Sequence, residues 1–435
     1  MSHRFSKSLK AAALSAALIL TSAPAAFAGT YDLSIGAATL NVTGAKAPAL
    51  AVNGTVPGPV LRFKEGEDLT INVTNTLDVD TSIHWHGLIL PFQQDGVPGI
   101  SFDGIKPGQT FTYTFPAQQS GTYWYHSHSG LQEQAGVYGA IIIEPKDREP
   151  FRYDREFVVV LSDFHPTQSP ETILAKLKKK PDYYNYQQRT AGTFFKDVAE
   201  KGLAATISDR LDWGDMRMTP TDITDVSGYT FLMNGKSAAQ NWTAAFKKGE
   251  RIRLRFINAA AMTFFDVRVP GLRMTVVQAD GQNVRPVPVD EFRIAVAETY
   301  DVIIRPTDDK AYTVFAESMA RTGFVRGTLS PGNDKTAAAV PDLRTPPLLT
   351  MADMGHADHS GHGSMSGMDH GPAGQDTSAA PAAAADHSAH GGTPAATEAA
   401  SKATDHSAHG GAAAAKQDPF YAPGSGLAPT AADGG

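Results

Sequence analysis

The stretch "TSIHWHGLIL", residues 81–90, sets His84 and His86 one residue apart in an apolar run. "GTYWYHSHSG", residues 121–130, repeats the arrangement with His126 and His128. On a β-strand, residues i and i+2 point to the same side. Each pair therefore projects together, with Trp85 and Ser127 turned the other way. Neutral imidazole suits copper, zinc, iron and nickel, and the flanking Trp85, Tyr123, Trp124 and Tyr125 imply buried, rigid surroundings. Four core histidines bonded to backbone are the plain alternative. Two such pairs so close together favour a metal site.

Around these pairs, residues 29–146 read as short strands between turns. "LTINVTNTL" (69–77) alternates and is rich in β-branched residues. "QTFTYTFPA" (109–117) puts Phe111, Tyr113 and Phe115 on one face, and "VYGAIIIEP" (137–145) closes the unit. Turn signals at Pro57-Gly58-Pro59 and Lys106-Pro107-Gly108 separate the strands, so an antiparallel sandwich is expected. A second unit, 147–335, opens with "REFVVVLSDF" (155–164) and resumes with an all-β pattern from "YTFLMNG" to "AYTVFAES". The stretch between is less regular. "SPETILAKLKKK" (169–180) opens with an imperfect capping-box pattern and predicts a short helix. In "DWGDMRMTP", Met216 and Met218 fall on one side of a possible strand, as core packing or as soft ligands.

The chain has 435 residues, so two or three domains are expected. Arg4, Lys7 and Lys10, the apolar stretch 11–20 and the small-x-small site Ala26-Phe27-Ala28 predict a signal peptide over 1–28, removed on export to the periplasm. The apolar stretch is too short to span a bilayer, and no later segment spans one. The formal charge is −7; without residues 1–28, 35 cations face 45 acids, a net −10. With no long basic run, nucleic acid is an unsuitable partner. Disulfides form in an exported compartment, yet the chain has no cysteine. Stability must come from packed cores, and a thiolate-ligated metal is excluded.

From about residue 336 large apolar residues nearly vanish. Residues 336–416 read as a disordered linker that cannot bury enough surface to offset its ordering entropy. It carries "DHSAHGG" at 386–392 and 405–411 and the variant "DHSGHG" at 358–363. Eight of the fourteen histidines and four of the eleven methionines lie in 351–410. Such His-x-x-His and thioether groups suit loosely held copper. Residues 417–435 regain aromatic character at Phe420 and Tyr421.

One candidate for the histidine pairs is a cupin, since "HSHSGLQEQAGVYG" offers His126, His128, Glu133 and Gly139. The first pair has no such Glu, and the remaining non-tail histidine of the mature chain, His165, precedes Pro166 in an expected loop. "HWHG" followed by "WYHSH" instead resembles the first-domain signature of multicopper oxidases. "VNGTVPGPVLRFKEGEDLTINVTNTL" looks like the start of that domain. Residues 259–306 and "DPFYAPGSGLAP" are similar to the bacterial copper-resistance branch. The resemblance implies an all-β chain of tandem cupredoxin-like (plastocyanin-like) Greek-key sandwiches followed by a disordered tail. It implies a laccase-like oxidase that takes electrons from cuprous ion or another small reducing substrate and reduces dioxygen to water.

By motif, His84 resembles a ligand of the type 2 copper, and His86, His126 and His128 resemble ligands of the type 3 pair. Asp95, in "QQDGVPG", looks like the acidic residue beside the cluster, orienting it and supplying protons; a turn residue before Gly96 is the alternative. The family's H-P-x-H-L-H and H-C-H stretches do not occur here, and no type 1 copper ligands are present. Residues 417–435 look like the start of a third cupredoxin domain. The expectation is an oxidase represented by its first two domains and inactive alone. A non-catalytic periplasmic copper-sequestering protein is the alternative, and a scaffold that has lost copper is disfavoured by the retention of all four histidines.

Overall fold

The computed structural model describes residues 28–180, 182–221, 226–332, 338–351, 353 and 354. The expected signal peptide up to residue 27, the histidine-rich repeats and residues 417–435 lie outside the described residues. Two β-sandwiches follow one another within a single compact unit.

The first has two four-stranded sheets. One places β1 (Ala28–Asn41) between β2 (Lys46–Val52) and β4 (Asp68–Asn75), with β6 (Thr110–Pro116) beyond β4. The other runs β3 (Leu61–Lys64), β8 (Tyr138–Glu144), β7 (Gly121–His126), β5 (His84–His86). The alternation read in 69–77 appears as strict inside–outside burial along β4, as expected of a sheet with one face on a core. Leu69, Ile71, Val73, Tyr113 and Phe115 meet Trp85, Tyr125 and Ile141 in that core. The expectation of an antiparallel sandwich needs correcting at two places: β1 pairs β4, and β3 pairs β8, in parallel. Parallel neighbours need long crossovers rather than hairpins, and periodicity within a strand does not encode its direction.

The second sandwich packs a seven-stranded sheet on a five-stranded one around Phe256, Phe265, Phe292 and Val314. Its first strand, β9 (Arg155–Phe164), has the bounds read from sequence. The stretch after β9 carries more helix than expected. The predicted helix is α2 (Pro170–Lys179), counting as α1 the single turn Gln132–Ala135 that no pattern announced. Its cap is Ser169, whose Oγ accepts from the Thr172 backbone N–H at 3.3 Å. Two further helices follow, α3 (Ala191–Lys201) and α4 (Leu203–Asp215). Met216 and Met218 therefore follow a helix and do not sit on a strand, because "DWGD" continues α4. Among the described residues no helix is long and apolar enough to cross a membrane.

Part of the stretch 336–416, expected to be a disordered linker, lies among the described residues. Residues 338–350 have no regular structure but run along the second sandwich. Thr313 Oγ1 donates to the Ala339 carbonyl at 2.7 Å, and the Leu349 N–H donates to the Pro220 carbonyl at 2.9 Å. Arg344 enters a cluster of Asp266, Glu291 and Glu317 at 2.7 to 3.2 Å. Paired charges hold a segment that apolar content alone would leave free.

Candidate metal centre

β5 is three residues long and pairs antiparallel with β7. His84 lies opposite His126, Trp85 opposite Tyr125, and His86 opposite Trp124. Directly opposed residues in an antiparallel pair share a face. One face therefore carries His84, His86, Trp124 and His126, while Trp85 and Tyr125 enter the core as the alternation requires. β7 is buried along its whole length. Tyr123 and Tyr125 face the first core, and Trp124 packs with Tyr138, Val160 and Ile257 where the two sandwiches meet. Gly121 (φ +136°) abuts the Gly281 carbonyl there, which a Cβ would approach to 2.2 Å.

Beneath this junction Asp301 lies between two buried arginines, 3.1 Å from the Arg255 guanidinium and in direct contact with Arg253. It also accepts from Thr122 Oγ1 at 2.8 Å. This ion network fixes β7 against the second sandwich. Trp124 in turn stacks on His126, with ring centroids 4.1 Å apart at 12°.

His128 lies just past β7 and closes the group. Its ring centroid is 4.7 Å from that of His84 and 4.9 Å from that of His126. Ligand nitrogens of His84, His126 and His128 all lie within 4.8 Å of one another. His86 turns its Nδ1 to within 3.3 Å of His126 Nε2. All four imidazoles from the two sequence pairs therefore converge. His165 does not join them; it sits past β9, its Nδ1 accepting the backbone N–H groups of Thr167 and Gln168.

The electrostatics suit a cation held by neutral imidazole. Burial lowers the pKa of His84 and of His128, and burial with the neighbouring His126 lowers that of His86 to about 4. Uncharged rings with convergent lone pairs are what copper or zinc requires.

Polar groups around the cluster orient it. His84 Nδ1 donates to the Asp95 main-chain carbonyl at 2.8 Å, and the Asp95 carboxylate lies 3.4 Å from the same nitrogen. This leaves His84 Nε2 for a metal. Asp95 was expected to orient the cluster through its acidic group, and the atom of it nearest to His84 Nδ1 is the main-chain carbonyl oxygen. The loop reaches back because Gly96 (φ +79°) lies against the strand, where a Cβ would come within 1.8 Å of the Ile83 carbonyl.

Two groups were missed as site residues. Ser82 Oγ accepts the His128 N–H at 3.0 Å, and Glu133, in α1, brings an oxygen 2.7 Å from His126 Nδ1. Glu133 was visible only in the cupin comparison. A four-residue helix has no periodicity to announce which way its side chains turn.

Tandem β-sandwiches with histidines converging at the end of one sheet define a cupredoxin-like architecture. Multicopper oxidase family models match residues 34–148 and 155–340. Copper resistance protein A of Escherichia coli is 60% identical over 342 residues, which is 78% of this chain and 56% of that protein. Multicopper oxidase MmcO of Mycobacterium tuberculosis is 31% identical over 307 residues, 70% of this chain and 56% of that protein. The crystal structure of laccase from Botrytis aclada superposes with a TM-score of 0.56 at 26% identity, over 74% of this chain and 56% of that one. The chain belongs to the multicopper oxidase family. It spans 54% to 58% of the length of the three copper-resistance relatives it matches.

Proposed function

We propose that this chain is the part of a periplasmic copper-resistance oxidase that supplies one side of its oxygen-reducing copper cluster. The observation that carries the reading is the convergence of ring nitrogens from His84, His126 and His128, with His86 Nδ1 3.3 Å from His126 Nε2. His84 is assigned to the type 2 copper, and His86, His126 and His128 to the type 3 pair. Copper bound there would pass electrons from cuprous ion or a phenol-type substrate to dioxygen, giving water. The chain's own residues do the rest. Burial favours the neutral form of His84, His86 and His128. The Asp95 carbonyl holds the proton of His84 on Nδ1, and the Asp95 carboxylate beside it is placed to hold and deliver a proton. Trp124 and the second sandwich fix the His126 ring plane.

The histidines cover one side only, and His128 is exposed. With no cysteine in these residues, the remaining imidazoles and the electron-entry site must come from a further cupredoxin domain. The alternative, a sequestering protein without turnover, is favoured by the eight histidines of 351–410.

Oxygen uptake with cuprous ion as donor decides between them, after copper loading and removal of free metal. The chain alone should not turn over. Extended by a domain with H-P-x-H-L-H and H-C-H motifs, it should, and His126→Ala should abolish that uptake. Asp95→Asn, which keeps the main-chain carbonyl, should slow uptake while bound copper stays nearly constant. Equal uptake with and without the added domain would overturn the incomplete-site reading. Export is checked by N-terminal mass analysis of periplasmic protein, which should begin at Gly29.

A further inference from the structure

We infer that Glu133 is a positioning residue: its carboxylate accepts the Nδ1 proton of His126 and so presents Nε2 to the metal. The assignment rests on the reading of His126 as a metal ligand, and its grounds lie in the chain itself. Nδ1 of His126 is buried and makes no well-formed hydrogen bond. An oxygen of Glu133 lies 2.7 Å from it, off the line of the ring N–H. The two atoms are already within hydrogen-bond distance, and catalytic hydrogen bonds often tighten only when a site is loaded. The opposite nitrogen, Nε2, already faces the cluster, 3.3 Å from His86 Nδ1. Which imidazole nitrogen carries the proton is set by the hydrogen bond the other ring nitrogen makes. A carboxylate at Nδ1 fixes that choice and raises the basicity of the ligating nitrogen.

Glu133 is held by its neighbours. Gln132 Oε1 accepts from Thr81 Oγ1 at 2.6 Å and from Ser127 Oγ at 3.0 Å, and its Nε2 donates to the Asp80 carbonyl at 2.8 Å. These bonds tie α1 both to the segment entering β5 and to the residue between His126 and His128. At the other end of α1, Gly136 (φ +124°) sits where a Cβ would come within 2.4 Å of the Leu50 carbonyl. These contacts fix the backbone that carries Glu133 beside His126. His84 shows the contrast: its Nδ1 meets a neutral carbonyl, that of Asp95. The nearest acceptor is thus a carbonyl for His84, with the Asp95 carboxylate farther off at 3.4 Å, and a carboxylate for His126.

The test uses the full chain labelled with 15N at histidine. The ring-nitrogen shifts of His126 are read first without metal and then along a titration with zinc, a diamagnetic probe. Signals are residue-specific, so the distant histidines do not interfere. In the parent chain His126 should show the Nδ1–H tautomer alone. Glu133→Ala should turn it into a mixture and raise the zinc concentration at its response midpoint by about tenfold or more. His84 should keep its tautomer. Glu133→Gln, whose amide oxygen can accept the same proton, should restore the tautomer and part of the affinity. A merely structural role would not give that pattern.

The inference is overturned if Glu133→Ala leaves His126 as pure Nδ1–H with an unmoved zinc midpoint. The metal reading fails separately. If His128→Ala left the zinc response of His126 unchanged, the shared centre would be lost. Glu133's hold on the ring would still be decided by the metal-free tautomer.

Discussion

At the scale of single residues, the site depends on atoms that touch no metal. Gly96 shows this most directly. A side chain there meets two costs: a positive φ, of about 1–3 kcal/mol for a non-glycine residue, and the Ile83 carbonyl 1.8 Å from the added Cβ. Gly99 shares the first cost at φ +75° but has open space around it. Gly96→Ala should therefore lower the melting temperature clearly more than Gly99→Ala. It should also displace the Asp95 carbonyl, leaving His84 a mixture of tautomers. Equal melting of the two variants would show that the close approach of loop and strand contributes nothing.

At the scale of elements, the segment 338–350 is bound to the second sandwich through charge. Asp266 and Glu317 are fully buried, and Arg268, Arg293, Arg321 and Arg344 surround them and Glu291. Burial alone would raise both carboxyls. Bonds from Arg293 and Arg321 to Asp266, and from the Arg344 backbone and side chain to Glu317, outweigh it and lower them below their ordinary 3.8 and 4.5. A depressed folded-state pKa contributes stability that is complete above the ordinary value and is lost as pH falls through the lowered one. Melting temperature should thus drop as pH falls from about 5 to about 3, and Arg344→Gln should make that drop shallower. Melts at several pH values check this. A parallel fall in the two proteins would remove Arg344 from the cluster.

At the scale of the whole molecule, the two sandwiches act as one support for the histidine face. The junction's ion network holds β7, and β7 holds Trp124 and His126. The intense blue band of this family requires a copper–thiolate bond, and the chain has no cysteine. Copper loading should leave it without that band, as visible absorption spectra would show. Copper should also bind the histidine-rich stretch 351–410. Its deletion should lower the copper held per chain, by metal analysis, with little change in melting temperature. A large loss of stability would make that stretch structural.

What the sequence determined by itself is local. A spacing of two on a strand turns His84 and His86 the same way whatever the rest of the chain does, and alternation along 69–77 and 109–117 marks which faces are buried. The spacing and its aromatic flanks were enough to single out the four histidines and the family they resemble. Only the tertiary structure decided that β5 lies in register with β7, putting His84 opposite His126, since strand pairing is settled by contacts distant in sequence. It also decided that the Asp95 carbonyl meets His84 and that Glu133 meets His126. Both come from loop closures whose geometry is set by close approaches at Gly96 and Gly136 and leaves no periodic trace. The lowered pKa values of His84, His86 and His128 belong with these: they come from burial, which no residue has until the chain has folded around it.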